Sequence, residues 1–472
     1  MDIMTIIYRL IPWILLACIV LATLVIAYLL YQKFIKKTKP GFSAKSTTLL
    51  LLISWLVIVL GLTSFSRGAN YSNMINLNLF SGYKNAWNQW SLKEFQLITF
   101  NMLMFTPLGF LLPLYSDKFK RFLPTFIVSF SVTLLIEVFQ WVTHLGIFEL
   151  DDLFHNTLGS LVGYFFMMAI LDCRKQKRFV LSSIFKALMI PLAFVGLIGS
   201  AFIVYETKEF GNLSIIPDKK QNMDHISVNL ETDLSENQST AAIYVNEAVH
   251  NVEKAKEVAK LLQHEFGLTQ QGSMVIDNHN RTFILTDSNQ HQYQLTYFLR
   301  DGSWSLTNPS WEVEQKYTTH LDSLKNDYQA FMEKYELIPS EAIYSLQDES
   351  ILRWDVSAPS DLSSYNQDFQ TGMVMITPSD QKVPNDFLFA IVTNHYVKQV
   401  DIISEQEAFE QIMNGNFYVY NDLVSGDHLV ITDCQLNYFY DTKGYYQPIY
   451  TFEAYLNNDD YPLQIQIPAL KH

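Results

Sequence analysis

Residues 122–148 read FLPTFIVSFSVTLLIEVFQWVTHLGIF, an almost entirely apolar stretch with one acidic residue, Glu137. About 20 apolar residues are enough to cross the hydrocarbon core of a bilayer. The stretch therefore predicts a membrane-spanning helix. An ionisable side chain inside such a helix is costly and usually marks a functional position, so Glu137 is a candidate site residue.

Five more charge-free runs of similar length occur in the first 205 residues, and they predict spans at 10–32, 46–66, 95–116, 153–171 and 187–205. The first run lacks a small-residue cleavage site, and its main basic cluster follows it, unlike the arrangement in a secretory signal peptide. The predicted fold class of residues 1–205 is therefore an integral membrane, all-α bundle of six helices.

Charge divides the chain at residue 205. The first 205 residues contain 17 Lys and Arg against 8 Asp and Glu, whereas the rest contain 16 against 39. A basic, apolar half joined to an acidic, soluble half excludes a simple cytosolic enzyme, and the acidic half excludes nonspecific nucleic-acid binding. The three cysteines are far apart, which excludes a disulfide framework and a thiolate zinc site.

The loops between the spans alternate in charge. Lys and Arg cluster at 33–45, 118–121 and 174–186, in the loops after the first, third and fifth spans. Because cytoplasmic loops carry the excess of basic residues, these three loops are predicted to be cytoplasmic. Both termini and the acidic half are then predicted to be extracytoplasmic, in a multi-pass protein of the cell membrane.

Polar residues inside the spans recur at helical spacing. Glu137, Gln140 and His144 fall on one face of the fourth span, and Asp152 and Asn156 fall on one face of the fifth. Glu137 is predicted about 9 Å below the outer end of its helix, at ~1.5 Å per residue. We therefore expect a polar intramembrane pocket open to the extracytoplasmic side, lined by Asn101, Glu137, Gln140, Asp151, Asp152 and Asn156.

Small residues and a proline shape the neighbouring helix surfaces. Pro107 and Gly109 predict a kink or interruption in the third span, and Gly159 and Gly163 would let the fifth span pack closely. Hydrogen bonding between helices would also explain most of the polar groups. That alternative explains Glu137 least well, because burying a carboxylate in a membrane costs more free energy than burying a neutral hydrogen-bonding group. A functional pocket and simple interhelical hydrogen bonding both remain open.

Four motifs follow one another: INLNLF at 75–80, Asn101-x5-Pro107-Leu108-Gly109, Glu137-x-x-Gln140, and Asp151-Asp152-x3-Asn156-Thr157-x-Gly159. Together they resemble the VanZ-like membrane domain, over about residues 50–175. The namesake of that family is associated with resistance to teicoplanin and related glycopeptides. The resemblance implies a role in the cell envelope and an antibiotic-resistance phenotype, without implying a particular reaction.

The acidic half predicts an extracytoplasmic α+β domain after a linker at 206–220. Helical spacing occurs at 241–266 and 404–413, and strand-like runs occur at 273–285, 292–299, 304–306, 417–420, 429–437 and 448–455. Because a helix followed by strands occurs twice, we predict an internal duplication with units at 221–335 and 336–472.

The second of these units carries two short motifs, ISEQEA at 403–408 and YQPIY at 446–450. They are similar to PepSY-type repeats and to YycI-like regulatory domains of low-GC Gram-positive bacteria. Those domains bind other proteins or peptides, so the resemblance implies an envelope protein partner for the extracytoplasmic domain.

The predicted function is protection of the cell envelope against glycopeptide- or lipoglycopeptide-type antibiotics by binding at the outer leaflet. The expected partner is a membrane lipid, a lipid-linked cell-wall precursor or the lipoglycopeptide itself, and no nucleic acid is expected. One alternative is a membrane enzyme that acts on a lipid-linked substrate with Glu137 as acid/base. Another is an envelope sensor that acts through its extracytoplasmic domain. No cofactor or metal is expected, because H-E-x-x-H and G-x-S-x-G motifs are absent from the sequence.

Overall fold

The computed structural model describes residues 3–35, 37, 42–65, 75–277, 279–310, 320–379, 382–457 and 459–471, with side chains from residue 11 onward. The chain divides into two compact units, which are Met1–Trp87 with Ser91–Lys208, and Asn88–Trp90 with Glu209–His472. The first unit is helical, and the second is rich in β-strands.

Six helices of the described part of the first unit are long and apolar enough to cross a membrane. With a short helix between the second and the third, they are α1 (Ile3–Leu30), α2 (Ala44–Leu60), α3 (Ser81–Asn88), α4 (Leu92–Tyr115), α5 (Phe122–Val142), α6 (Leu150–Gln176) and α7 (Leu181–Thr207). π-Helical turns extend α1 and α2 over Tyr31–Ile35 and Gly61–Phe65, and a 3₁₀ turn, Asp117–Lys120, follows α4. The six predicted spans are confirmed, although Ser66 at the end of the second lies outside the described residues.

The fourth span ends earlier than its apolar sequence predicts. α5 ends at Val142, and His144 has a φ of 56°, which is outside the helical region. The Leu145 amide donates to the Gln140 carbonyl at 3.0 Å and closes the helix end. His144 therefore does not share a helix face with Glu137, and that part of the prediction is wrong.

α4 and α6 approach each other closely at three glycines. A Cβ atom there would overlap a carbonyl oxygen of the facing helix: at Gly109, 1.7 Å from Ser160; at Gly159, 1.9 Å from Met102; at Gly163, 1.9 Å from Thr106. Since Met102 faces Gly159 and Thr106 faces Gly163, the two helices run parallel. α4 continues without a break through Pro107.

A short parallel bridge fixes the segment before α3. Strand β1 (Ile75–Asn76) pairs with β2 (Phe148–Glu149), with Ile75 opposite Phe148. Phe148, the last apolar residue of the predicted fourth span, therefore belongs to this bridge and not to α5. The pairing brings the residues just before α3 next to the first turn of α6.

The second unit contains a sheet of 14 strands within the described residues. The strands are β3 (Ser227–Leu230), β4 (Ser239–Val245), β5 (Thr269–Ile276), β6 (Asn280–Thr286), β7 (Gln292–Phe298), β8 (Trp304–Thr307), β9 (Ile343–Gln347), β10 (Ile351–Val356), β11 (Phe369–Thr377), β12 (Asp386–Phe389), β13 (Val392–Ile402), β14 (His428–Tyr440), β15 (Tyr445–Leu456) and β16 (Leu463–Pro468). Their order is β3-β14-β15-β4-β13-β11-β12-β8-β7-β6-β5, with β10 joining β9 to β11 and β16 joining β15. The helices are α8 (Val252–Phe266), α9 (Leu321–Lys334) and α10 (Glu405–Met413).

Two large hydrophobic cores and smaller clusters among the described residues support this sheet, and the predicted α+β class is confirmed. The first core packs α8 and α9 against strands β6 to β12, with Trp304 and Trp354 among its largest buried side chains. The second packs α10 against strands β14 to β16. The first core contains residues from both predicted units, 221–335 and 336–472. The internal duplication stays a prediction.

Three local predictions for the acidic half differ from the structure. Residues 241–245 are part of strand β4 rather than of a helix, because α8 begins only at Val252, where the Asn251 side chain caps it. Residues 417–420 form no strand, whereas the helix at Ser404 begins with the expected capping box. Part of the predicted linker is buried: Leu213 and Ile215 pack in the second unit beside Ile449.

Candidate functional site

The polar residues of α4 and α6 meet near the beginning of α6. The Asn101 side-chain amide donates to an Asp152 carboxylate oxygen at 2.5 Å, and both side chains are half-buried. Asp152 lies in the first turn of α6, whereas Asn101 lies in the third turn of α4. Two of the six residues predicted to line a pocket are thus in direct contact.

Glu137 of α5 is almost completely buried, with 1% of its surface exposed. Its carboxylate accepts a hydrogen bond from the Glu149 amide at 3.3 Å. That amide lies immediately before α6, so the Glu137 carboxylate faces the same end of α6 as Asp152. Removing a carboxylate from water is costly, and this position is compatible with a role that needs charge.

Asp151 has a different position from its neighbour Asp152. Its carboxylate accepts hydrogen bonds from the Phe80 amide at 2.5 Å, the Gly82 amide at 2.7 Å and the Ser81 hydroxyl at 3.3 Å. These groups form the N-terminus of α3, where unpaired amides favour a negative charge. Asp151 therefore anchors α3 to the start of α6 through hydrogen bonds that no local sequence pattern predicts.

Gln140 contacts the end of α2 rather than Asp152 or Asn101. Its amide donates to the Thr63 carbonyl at 3.2 Å and to the Ser64 hydroxyl at 3.4 Å. Thr63 and Ser64 belong to the π-helical turn that follows α2. The contact ties α5 to α2, which is the behaviour expected of an interhelical hydrogen bond.

Asn156 is buried one turn after Asp152, with 3% of its surface exposed. Its side-chain oxygen has no hydrogen-bond partner among the described residues, and neither has the hydroxyl of Thr157. Buried polar atoms are nearly always paired, so this unpaired acceptor needs an explanation beyond the contacts of the described helices.

Sequence reasoning missed a further pair at the same end of the bundle. His155 is buried in α6, and its Nε2 lies 2.9 Å from the hydroxyl of Tyr83 in α3. Burial, with a smaller contribution from the negative charge of Asp151, raises the pKa of Tyr83 to about 12. The available signal was the spacing of His155, four residues after Asp151 on the same helix.

The cluster offers carboxylates and amides but no recognisable metal site. No group of three or more His, Cys, Asp or Glu side chains within the described ranges is arranged to hold a metal ion. What the arrangement can do is accept hydrogen bonds from, or balance the charge of, a polar group that enters at this end of the helices.

Comparison with known proteins identifies the helical unit. Residues 48–171 match the model of the VanZ/LLP1 family. No curated protein matches the chain. Among solved structures, the crystal structure of an uncharacterized protein from Eubacterium rectale is similar, with 8% identity over 52% of this chain and 87% of that chain, and a TM-score of 0.21. A likeness at that score defines neither the fold nor the function of this chain.

The family match covers α4, α5 and nearly all of α2 and α6, the helices that carry Asn101, Glu137, Gln140 and Asn156. The protein is therefore a multi-pass membrane protein of the cell envelope that carries a VanZ-like domain at residues 48–171.

Proposed function

We propose that this protein protects the cell envelope against glycopeptide- or lipoglycopeptide-type antibiotics by binding a lipid-linked ligand at the outer leaflet. The basic loops at 33–45, 118–121 and 174–186 support an orientation in which the opposite ends of the spans lie outside the cytoplasm. In that orientation both termini are extracytoplasmic, and the cluster around Glu137 and Asp152 is reached from the outer leaflet.

The observation that carries this proposal is the buried, unpaired oxygen of Asn156. Asn156 lies one turn after Asp152 in α6, and the Glu137 carboxylate of α5 faces the beginning of the same helix. Helix packing alone gives no reason to bury an acceptor without a donor. A ligand with hydrogen-bond donors, such as the amides and hydroxyls of a wall precursor or a glycopeptide, would supply what Asn156 lacks.

The test is the teicoplanin susceptibility of a deletion strain, compared with the same strain carrying the wild-type gene or an Asn156→Leu variant. We expect the deletion and the variant to be equally sensitive, while an antibiotic that acts on the ribosome affects all strains alike. Equal teicoplanin resistance with and without the gene would contradict the proposal.

A second candidate is an enzyme that acts on a lipid-linked envelope substrate, favoured by the near-complete burial of Glu137. A buried carboxyl group can be adjusted to act as acid or base near neutral pH. Proteoliposomes that contain a lipid-linked wall precursor separate the two functions. A binding protein saturates and leaves the precursor unchanged, whereas an enzyme releases a product in proportion to time.

A further inference from the structure

The second unit contains a cleft of about 480 Å³ at the junction of α8, the β7–β8 turn and the beginning of β13. Its volume is in the range of small-ligand sites, which are about 300–1,000 Å³. The walls are held by local contacts. The Tyr297 hydroxyl donates to the Ala248 carbonyl at 3.1 Å, and Gly302, with a φ of 82°, leaves no room for a Cβ beside Ala248.

The floor of the cleft is aromatic and aliphatic. Trp304, with 2% of its surface exposed, stacks on Phe389 at 5.2 Å between ring centroids and 13° between ring planes. The apolar surface that a ligand can reach belongs to the half-buried side chains of Phe389, Leu261 and Leu337. Such a floor can hold large apolar side chains.

The rim of the cleft is acidic. Four carboxylates line it, those of Glu247, Glu257, Asp301 and Glu336, against one lysine, Lys254. Lys254 lies 3.5 Å from Glu257 and can balance only one of them. The carboxylates of Glu247 and Glu336 are exposed and have no hydrogen-bond or ion-pair partner among the described residues.

We propose that this cleft binds a short peptide segment in which basic side chains flank large apolar ones. The apolar residues would occupy the floor over Phe389 and Leu261, and the basic groups would pair with Glu247 and Glu336 at the rim. Charge complementarity selects this occupant, because the rim has four carboxylates against one lysine and would repel an acidic segment. The proposal is independent of the function proposed for the membrane helices.

The test uses the full chain in phosphatidylcholine nanodiscs, whose neutral surface does not attract basic peptides. The probe is a capped tetrapeptide, lysine-leucine-phenylalanine-lysine, titrated by isothermal calorimetry. We expect saturable binding of one peptide per chain that weakens as salt is added. Replacing both lysines of the peptide with glutamate, or both of its apolar residues with serine, should abolish binding.

A double variant, Glu247→Gln with Glu336→Gln, should weaken binding of the probe about five-fold, at the strength of two exposed ion pairs. The matched control is Glu253→Gln with Glu333→Gln, which removes the same charge from exposed positions on α8 and α9 outside the cleft. Absence of saturable binding, equal binding of the glutamate peptide, or an equal loss in the control variant would overturn the proposal.

Discussion

The neighbouring helices α6 and α7 have the same length, 27 residues, but opposite relations to their surroundings. Eleven residues of α6 are buried, among them Asp151, His155 and Asn156, whereas only Ala187 and Tyr205 of α7 are buried within the described part of the protein. Both helices contain two glycines in their middle. Those of α6 touch the backbone of α4, and no described atom lies within 4 Å of a Cβ built at Gly196 or Gly199 of α7.

The contrast shows that polar and small residues contribute to helix packing in α6 but not in α7. A helix that faces lipid gains nothing from polar groups, so α7 is apolar almost throughout and its glycines leave open space. A helix inside the bundle needs close backbone approach and hydrogen bonds, because lipid provides no hydrophobic force to hold helices together. Each difference between α6 and α7 predicts a different sensitivity to substitution.

The largest expected effect is at the glycine contacts. Gly159→Leu forces a side chain into the Met102 carbonyl oxygen, 1.9 Å from the first added atom, and should lower the free energy of unfolding by about 3 kcal/mol or more. Gly196→Leu in α7 is the matched control and should leave it unchanged. Detergent titration in mixed micelles measures both. Equal stability of the two variants would show that α4 and α6 are not packed as described.

A smaller loss of stability is expected at the first turn of α6. Asp151→Ala removes the acceptor of two amides and one hydroxyl at the start of α3, which should cost about 2 kcal/mol. Asp117→Ala removes an exposed aspartate whose only described ion pair is with Lys120, and it should leave the unfolding temperature unchanged. Proteolysis of the α3 segment reports local loosening. A stable, uncut Asp151→Ala protein would mean that α3 is held by other contacts.

The sequence predicted all six spans because each is a long apolar run, and it misplaced the end of the fourth because Leu145, Ile147 and Phe148 are also apolar. It predicted a helix over 241–266 from apolar residues at helical spacing between Ala248 and Leu262, whereas residues 241–245 form part of a strand that pairs with two neighbours.

The site was predictable only in part. Helical spacing correctly predicted that Glu137 and Asn156 lie on buried helix faces. The spacing can be read from neighbouring residues of the same helix, without knowledge of the rest of the fold. The partners of Asp151 lie 69 to 71 residues earlier in the chain, and no local pattern connects them. The same holds for Gln140, whose partners in α2 are 76 and 77 residues away. Whether the gathered residues form a binding pocket stays a prediction.

A modest effect is expected at Gln140, which bridges α5 and α2. Gln140→Leu keeps the volume and removes the bonds to Thr63 and Ser64, so the free energy of unfolding should fall by about 1 kcal/mol. The protein should remain folded and in the membrane. A loss as large as that from Gly159→Leu would place Gln140 in a larger network than the described contacts indicate.

The most direct test of the binding role is Glu137→Gln, assayed by teicoplanin susceptibility at matched membrane expression. Glutamine keeps the size of the side chain and can still accept the hydrogen bond from the Glu149 amide, so stability should be nearly unchanged. Asp172→Asn is the control, because Asp172 is a carboxylate in the last turns of α6, bound by Ser183 at 2.6 Å. We predict that Glu137→Gln reduces protection to that of the deletion strain while Asp172→Asn retains it. Full protection by Glu137→Gln would contradict the account and leave Glu137 as a residue that only joins helices.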